Sequence, residues 1–193
     1  APTPLITNEL LLEIEERIIQ PTLLGMRKEG FKFEGCLYCG LMITKDGPKV
    51  IEFNCRFGDP ETQSVLPLLE GDFIKLLLSC AKGSLDKKSV KYNGGASVCV
   101  IAASSGYPDK YESGFEIHGL DSIDKETTTV FHSGTKIIDN KVLSNGGRVL
   151  GVTSFNNDNN ILKAIETAYQ EISKIEFKNM VYRKDIGKKA FKY

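Results

Sequence analysis

Glu52 and Asn54 stand two residues apart in the run Val50-Ile51-Glu52-Phe53-Asn54-Cys55-Arg56-Phe57-Gly58-Asp59-Pro60-Glu61-Thr62-Gln63. The apolar residues Val50, Ile51, Phe53 and Phe57 read as a buried strand. In a strand, side chains two apart share a face, about 7 Å from one another. A carboxylate and an amide carbonyl side by side are the hard oxygen donors that Mg²⁺ takes, its other positions filled by water and nucleotide phosphates. Arg56 comes next on that face if the strand continues, and its planar guanidinium suits a phosphate or a carboxylate. Pro60 then pushes Asp59 toward extended backbone, while Gly58 frees the turn before it. Asp59 and Glu61 are thereby held near the pair, so that four charged groups and an amide fall within ten residues. That density fits a site. Taken alone, Glu52-x-Asn54 also fits a simple cap on the following turn.

The elements that must position these groups follow from periodicity. Residues 33–44 and 49–54 are rich in apolar and β-forming types, and Asp46-Gly47 between them is a hairpin signal. The Glu52–Asn54 strand is therefore expected to pair antiparallel with residues 37–43, a stretch that carries no acid. Ahead of it, residues 6–30 read as helix. Thr7 or Asn8 is placed to cap it, Leu10, Leu11, Ile14, Ile18 and Ile19 recur at helical spacing, and Pro21 kinks or restarts it. Residues 63–83 read as one or two helices punctuated by Pro67 and Gly71-Asp72. Residues 83–95, polar and without period, are the candidate boundary.

Beyond it short strands are expected at 97–103, 115–117, 128–131, 136–138, 141–143 and 148–154, with a tight turn at Asp139-Asn140. A helix over 156–175 follows, striped by Ile161, Ile165, Ala168, Tyr169 and Ile172, with Asp158 near its amino end. Three glycine turns interrupt this half: Ser105-Gly106-Tyr107, Ser133-Gly134-Thr135 and Asn145-Gly146-Gly147-Arg148. They fit plain hairpin connections, and equally loops that bring N–H groups and Arg148 against a phosphate. Gly146 to Thr153 has the glycine spacing of a P-loop, but Val152 stands where its lysine is required, which excludes a Walker site. His132 reads as a structural donor or a substrate contact.

Composition narrows the partners. The 193 residues are 41% hydrophobic, enough for a core in one or two domains. Basic and acidic residues number 25 each, so no net field draws nucleic acid or an anionic membrane. No apolar run reaches transmembrane length, and the opening Ala1-Pro2-Thr3-Pro4 lacks the character of a secretion signal. The expectation is a soluble, cytoplasmic protein. Cys36, Cys39, Cys55, Cys80 and Cys99 form no repeated framework; Cys36-x-x-Cys39 reads as part of a strand, its two thiols on opposite faces and packed as small hydrophobes.

The stretch from Leu41 through Gln63 resembles the glycinamide ribonucleotide synthetases (phosphoribosylamine–glycine ligases) of the ATP-grasp superfamily. The likeness continues in order through Ser105-Gly106-Tyr107-Pro108, Phe131-His132-Ser133-Gly134-Thr135-Lys136, Asn145 to Val152, and Tyr182-Arg183-Lys184-Asp185-Ile186-Gly187. It covers only the C-terminal portion of such an enzyme. The resemblance implies an α+β fold: the C-terminal half of an ATP-grasp domain at 1–90, then a small β-rich domain closed by a helix at 91–193. It implies ATP and Mg²⁺ or Mn²⁺ as cofactors, glycine and phosphoribosylamine as substrates, and the N-terminal portion of the same enzyme as partner. By that likeness Glu52 and Asn54 are metal ligands, Arg56 holds phosphate or acyl phosphate, and Asp59 and Glu61 lie near the glycine ammonium. Gly146, Gly147, Arg148 and His132 become candidate substrate contacts. The family's usual further metal-binding acid is missing from residues 37–43, which leaves the number of ions open. The alternatives are another ATP-grasp carboxylate–amine ligase of purine metabolism and a scaffold fragment without catalysis. No turnover is expected from these residues alone.

Overall fold

A computed structural model describes residues 1–191. Helix α1 (Asn8–Ile14) runs through a π-helical turn at Glu15–Ile19 into α2 (Gln20–Lys28). Strands β1 (Tyr38–Thr44) and β2 (Gly47–Asn54) follow, then α3 (Glu61–Val65), a 3₁₀ turn at Leu66–Leu68 and β3 (Leu69–Gly71). After α4 (Phe73–Ala81) come β4 (Val90–Tyr92), β5 (Ala96–Ser104), β6 (Thr128–His132), β7 (Thr135–Ile138), β8 (Lys141–Ser144) and β9 (Arg148–Asn156). Helix α5 (Ile161–Ile172) and β10 (Met180–Val181) close the order, with a last 3₁₀ turn at Lys188–Phe191. Helices and antiparallel strands share the chain, as an α+β fold requires. Its contacts divide it into two units. One comprises Thr3–Asp59 and Leu69–Lys91; the other comprises Ala1–Pro2, Pro60–Leu68 and Tyr92–Tyr193.

In the first unit, Thr7 caps α1 by accepting from the Leu10 N–H at 3.2 Å. Pro21 falls in the first turn of α2, directly after the π-helical turn, and the chain stays helical past it. Ile14 and Ile18 are buried, whereas Leu11 of the expected stripe is exposed. Strands β1 and β2 form the expected antiparallel hairpin. Asp72 caps α4, accepting from the Lys75 N–H at 2.8 Å, and Phe73 of that helix packs against Phe57 with ring centroids 5.9 Å apart. Two expectations fail here. Residues 69–71 are not helical: Pro67 and Gly71 break the run, and β3 pairs with β4, itself inside the stretch expected as the boundary. Cys36 lies ahead of β1, not within it. Cys39 and Cys80 line a cavity of about 340 Å³ with Ile19, Leu23, Phe33 and Leu37. Burial pushes the Cys36 thiol up, with Cys80 adding to the shift, and burial pushes up Cys39 as well.

The second unit is built on an antiparallel sheet of order β10-β5-β9-β6. Alternation puts Val98, Val100 and Ala102 of β5 and Val152 of β9 on the face toward α5, where they join Ala164, Ala168, Ile172 and Ile175 in one core. Ile172 is fully buried, a contribution of about 1.5–3 kcal/mol. Asn160 caps α5, accepting from the Lys163 N–H at 3.0 Å. Helix α3 lies against β5, where the Ser97 hydroxyl donates to the Ser64 carbonyl. Asp139 and Asn140 take φ of 48° and 58° in the turn between β7 and β8, as a tight hairpin needs. Residues 115–117 make only an isolated bridge, Glu116 to Leu143, and form no strand.

Candidate functional site

The hairpin places its oxygen donors side by side. The Asn54 amide donates to Glu52 Oε1 at 3.0 Å, so the two side chains lie on one face of β2. That bond uses the amide nitrogen, which is no metal ligand, and keeps the carbonyl oxygen as the donor. The register explains the space: Gly40 faces Glu52, while Leu41 faces Val50, so a bulge at Ile51 sets Glu52 over the glycine. A Cβ on Gly40 would stand 3.1 Å from Glu52 Cγ. Glu52 is exposed and Asn54 half-buried, so the pair is open to solvent along one edge of the strand.

Strand β2 ends at Asn54, and the same-face argument stops there. Arg56 lies in the bend beyond, its Nη1 donating to the Phe57 carbonyl at 2.9 Å. Asp59 ends the first of the two segments that make up the first unit, and Glu61 opens α3 in the second unit. Among the described residues no three His, Cys, Asp or Glu side chains come together as a metal site. The protein therefore offers two hard oxygens, a donor set that suits an ion which keeps water and phosphate ligands.

The remaining candidates lie in the second unit, at the end of the sheet where β9 begins. The Ser104 N–H donates to the Gly147 carbonyl at 2.8 Å, and its hydroxyl to the Gly146 carbonyl at 2.9 Å. The Asn145 N–H reaches the Gly134 carbonyl at 2.7 Å. A Cβ on Gly134 would stand 2.6 Å from Gly146 Cα, so these glycines let two backbone runs touch. The Tyr107 ring covers Gly147, and the Arg148 guanidinium lies 5.9 Å from the centre of that ring. The structure thus brings Gly146, Gly147 and Arg148 into one corner. His132 ends β6 opposite Leu150, its Nδ1 within 3.1 Å of Thr135 Oγ1.

Two features escaped the sequence reading. Tyr107 as the platform under Arg148 depends on a contact between loops forty residues apart, for which spacing carries no signal. Gly40 did leave one: a glycine inside a strand marks a close approach. The two-unit division separates Glu52, Asn54, Arg56 and Asp59 from Glu61, His132, Gly146, Gly147 and Arg148.

Comparison with known proteins adds to this geometry. A family model described as the phosphoribosylglycinamide synthetase ATP-grasp (A) domain matches residues 1–62, and one described as the C domain of the same enzyme matches residues 97–189. A phosphoribosylamine–glycine ligase of Caldanaerobacter subterraneus is 47% identical over 187 residues, covering 97% of this chain and 44% of the relative. The human trifunctional purine biosynthetic protein adenosine-3 is 42% identical over 193 residues, 19% of its own length. A crystal structure of phosphoribosylamine–glycine ligase from Thermotoga maritima superposes with a TM-score of 0.79 at 34% identity, covering 93% of this chain and 44% of that one. The biotin carboxylase domain of a Hydrogenobacter thermophilus 2-oxoglutarate carboxylase shares the fold at 16% identity and a TM-score of 0.58, covering 94% of this chain and 39% of that one. The chain spans less than half the length of these relatives.

Proposed function

The chain belongs to the phosphoribosylglycinamide synthetase family, and we propose that it is part of a ligase joining glycine to phosphoribosylamine at the expense of ATP. In this reaction the γ-phosphoryl of ATP passes to the glycine carboxylate, giving glycyl phosphate and ADP. The amine of phosphoribosylamine then attacks the acyl carbon, the carbon–oxygen bond to phosphate breaks, and the nitrogen loses a proton. Glycinamide ribonucleotide and phosphate leave. The reaction is a step of purine synthesis, which we place in the cytoplasm.

The observation that carries this reading is the Asn54–Glu52 contact at 3.0 Å, which presents a carboxylate and an amide oxygen together on an open strand edge. These two residues would hold Mg²⁺ or Mn²⁺, which supplies charge neutralisation on the phosphoryl oxygens. Arg56, on the bend after the strand, has four further N–H donors beyond the one it gives to Phe57, enough to fork onto phosphate or acyl phosphate. Asp59 and Glu61 supply carboxylates for the glycine ammonium. Arg148, with Gly146 and Gly147 beside it and His132 in the same half, serves the phosphorylated sugar.

The partner is further polypeptide of the same enzyme. Strands β1 and β2 form a sheet of two, marginal by itself in water. Ile51 is 63% exposed and Ile74 of α4 71%, and Met42, Phe53 and Leu78 are exposed as well. Further polypeptide of the enzyme is the cover we propose for these side chains. The test is Glu52→Gln in the intact enzyme. Glycine-dependent ADP release at limiting Mg²⁺ is expected to fall on the order of 100-fold. An unchanged rate would support a scaffold without chemistry, and stimulation by a different acid or amine would point to another ligase of the superfamily.

A further inference from the structure

The run 182–187 carries no assigned chemistry, yet it walls a cleft of about 600 Å³ in the second unit. Ile101 and Ala103 of β5 form an apolar floor, on the face alternate to the core residues Val100 and Ala102. Tyr107, Arg148, Tyr182 and Arg183 line the rest. Two arginines therefore line one cleft, and among the described residues no aspartate or glutamate lines it. An apolar floor with tyrosines and paired cations suits a ligand with a sugar face and a doubly charged phosphate.

The wall is held firmly. The Tyr169 hydroxyl donates to the Arg183 carbonyl at 2.8 Å and accepts from the Ile186 N–H at 3.0 Å, tying the run to α5 at two points. Arg183 Nε and Nη2 donate to the two Asp185 oxygens at 2.9 and 2.7 Å, a fork that fixes the plane of the guanidinium. The pair is 66% and 51% exposed, so its worth to folding is small. What the fork achieves is orientation: it takes two of the five N–H donors and leaves three for a ligand.

We propose that Arg183 is a second phosphate-binding residue of this cleft, acting with Arg148 on the 5-phosphate of a phosphorylated pentose, and that Asp185 is a positioning residue for it. The inference rests on the ligase reading above and names the residues that recognise its sugar substrate. A monoester dianion engages Arg183 through the donors Asp185 does not use, and the cation on Tyr107 meets the same charge. Ribose without its phosphate gains nothing from either.

The test titrates ribose 5-phosphate, a stable stand-in for the amine, into the intact enzyme at low ionic strength, with ribose as control and a thermal melt of every variant. Arg183→Met is expected to weaken ribose 5-phosphate binding roughly 10- to 100-fold and leave ribose unaffected. Arg183→Lys, which keeps the charge and loses the fork, is expected to recover part of that loss, and it carries the test should the methionine variant melt early. Asp185→Asn is expected to weaken binding about 3- to 10-fold. If Arg183→Met binds as wild type while Arg148→Met does not, the Arg183 assignment falls and the cleft stands. Tighter binding by Asp185→Asn would show Asp185 competing with the ligand and overturn its positioning role. If wild type binds ribose 5-phosphate no better than ribose, the cleft and the sugar-binding part of the ligase reading fall together.

Discussion

Replacing Tyr169 by phenylalanine removes one oxygen and leaves the ring on α5, its centroid 6.4 Å from that of Tyr182. That oxygen makes two bonds, to the Arg183 carbonyl at 2.8 Å and from the Ile186 N–H at 3.0 Å. Each neutral hydrogen bond is worth about 0.5–1.5 kcal/mol net. Arg183 is exposed, so water replaces its lost partner, while the half-buried Ile186 N–H is less easily served. The expected loss is about 1–2 kcal/mol, or roughly 2–8 °C in the melting temperature of a chain this size. Amide exchange locates the effect: the Ile186 N–H should exchange about 10-fold faster in Tyr169→Phe, with the amides of β9 unchanged. A variant with the wild-type melt and wild-type exchange at Ile186 would refute the account of how the run 182–187 is held.

The same hydroxyl makes a pH prediction. Burial, the largest cause, pushes Tyr169 above its ordinary value near 10, so the folded state holds this proton more tightly than the unfolded chain. Its contribution is complete below the unfolded value and is lost as pH rises through the higher folded one. The stability difference between wild type and Tyr169→Phe should stay level from about pH 6 to 9 and narrow above about 10. A difference that persists unaltered into stronger alkali would count against that reasoning.

Two substitutions test the packing around the glycine corner and the sheet. Gly134→Ala puts a methyl 2.5 Å from the Arg148 carbonyl oxygen and 2.6 Å from Gly146 Cα, both backbone atoms that cannot swing aside. A loss of about 1–3 kcal/mol by urea unfolding is expected, and wild-type stability would show that the corner yields. Thr153→Val removes a fully buried hydroxyl that has no hydrogen-bond partner among the described residues. A gain of about 1 kcal/mol in the same measurement is expected, and a loss would show the hydroxyl to be satisfied.

What was legible in the sequence is what short spacing controls. The hairpin of β1 and β2 follows from alternation around Asp46-Gly47, and it alone brings Glu52 and Asn54 together, because residues two apart on a strand share a face wherever the strand goes. The stripe of α5 is of the same kind. Residues 69–71 were illegible for the opposite reason: their leucine and glutamate suit a helix, and only pairing with β4, about twenty residues on, makes them a strand. Residues 115–117 have strand composition but find one bridging partner, at Leu143, and a strand needs a ladder.

The same distinction runs through the chemistry and sorts its residues. Glu52 and Asn54 need only each other and a gap, and Gly40 supplies the gap from the neighbouring strand. Arg148 and Arg183 depend on far contacts. Arg148 lies on Tyr107, forty-one residues before it, and Arg183 belongs to a run tied by Tyr169 from fourteen residues back. A guanidinium is a strong ligand for phosphate only when its plane is set before the ligand arrives, since each rotamer-rich side chain ordered on binding subtracts about 0.5–1.5 kcal/mol from affinity. Spacing says nothing about such a plane. The Asp185 fork on Arg183 joins residues two apart, whereas Tyr107 beneath the half-buried Arg148 becomes visible only when the chain is folded.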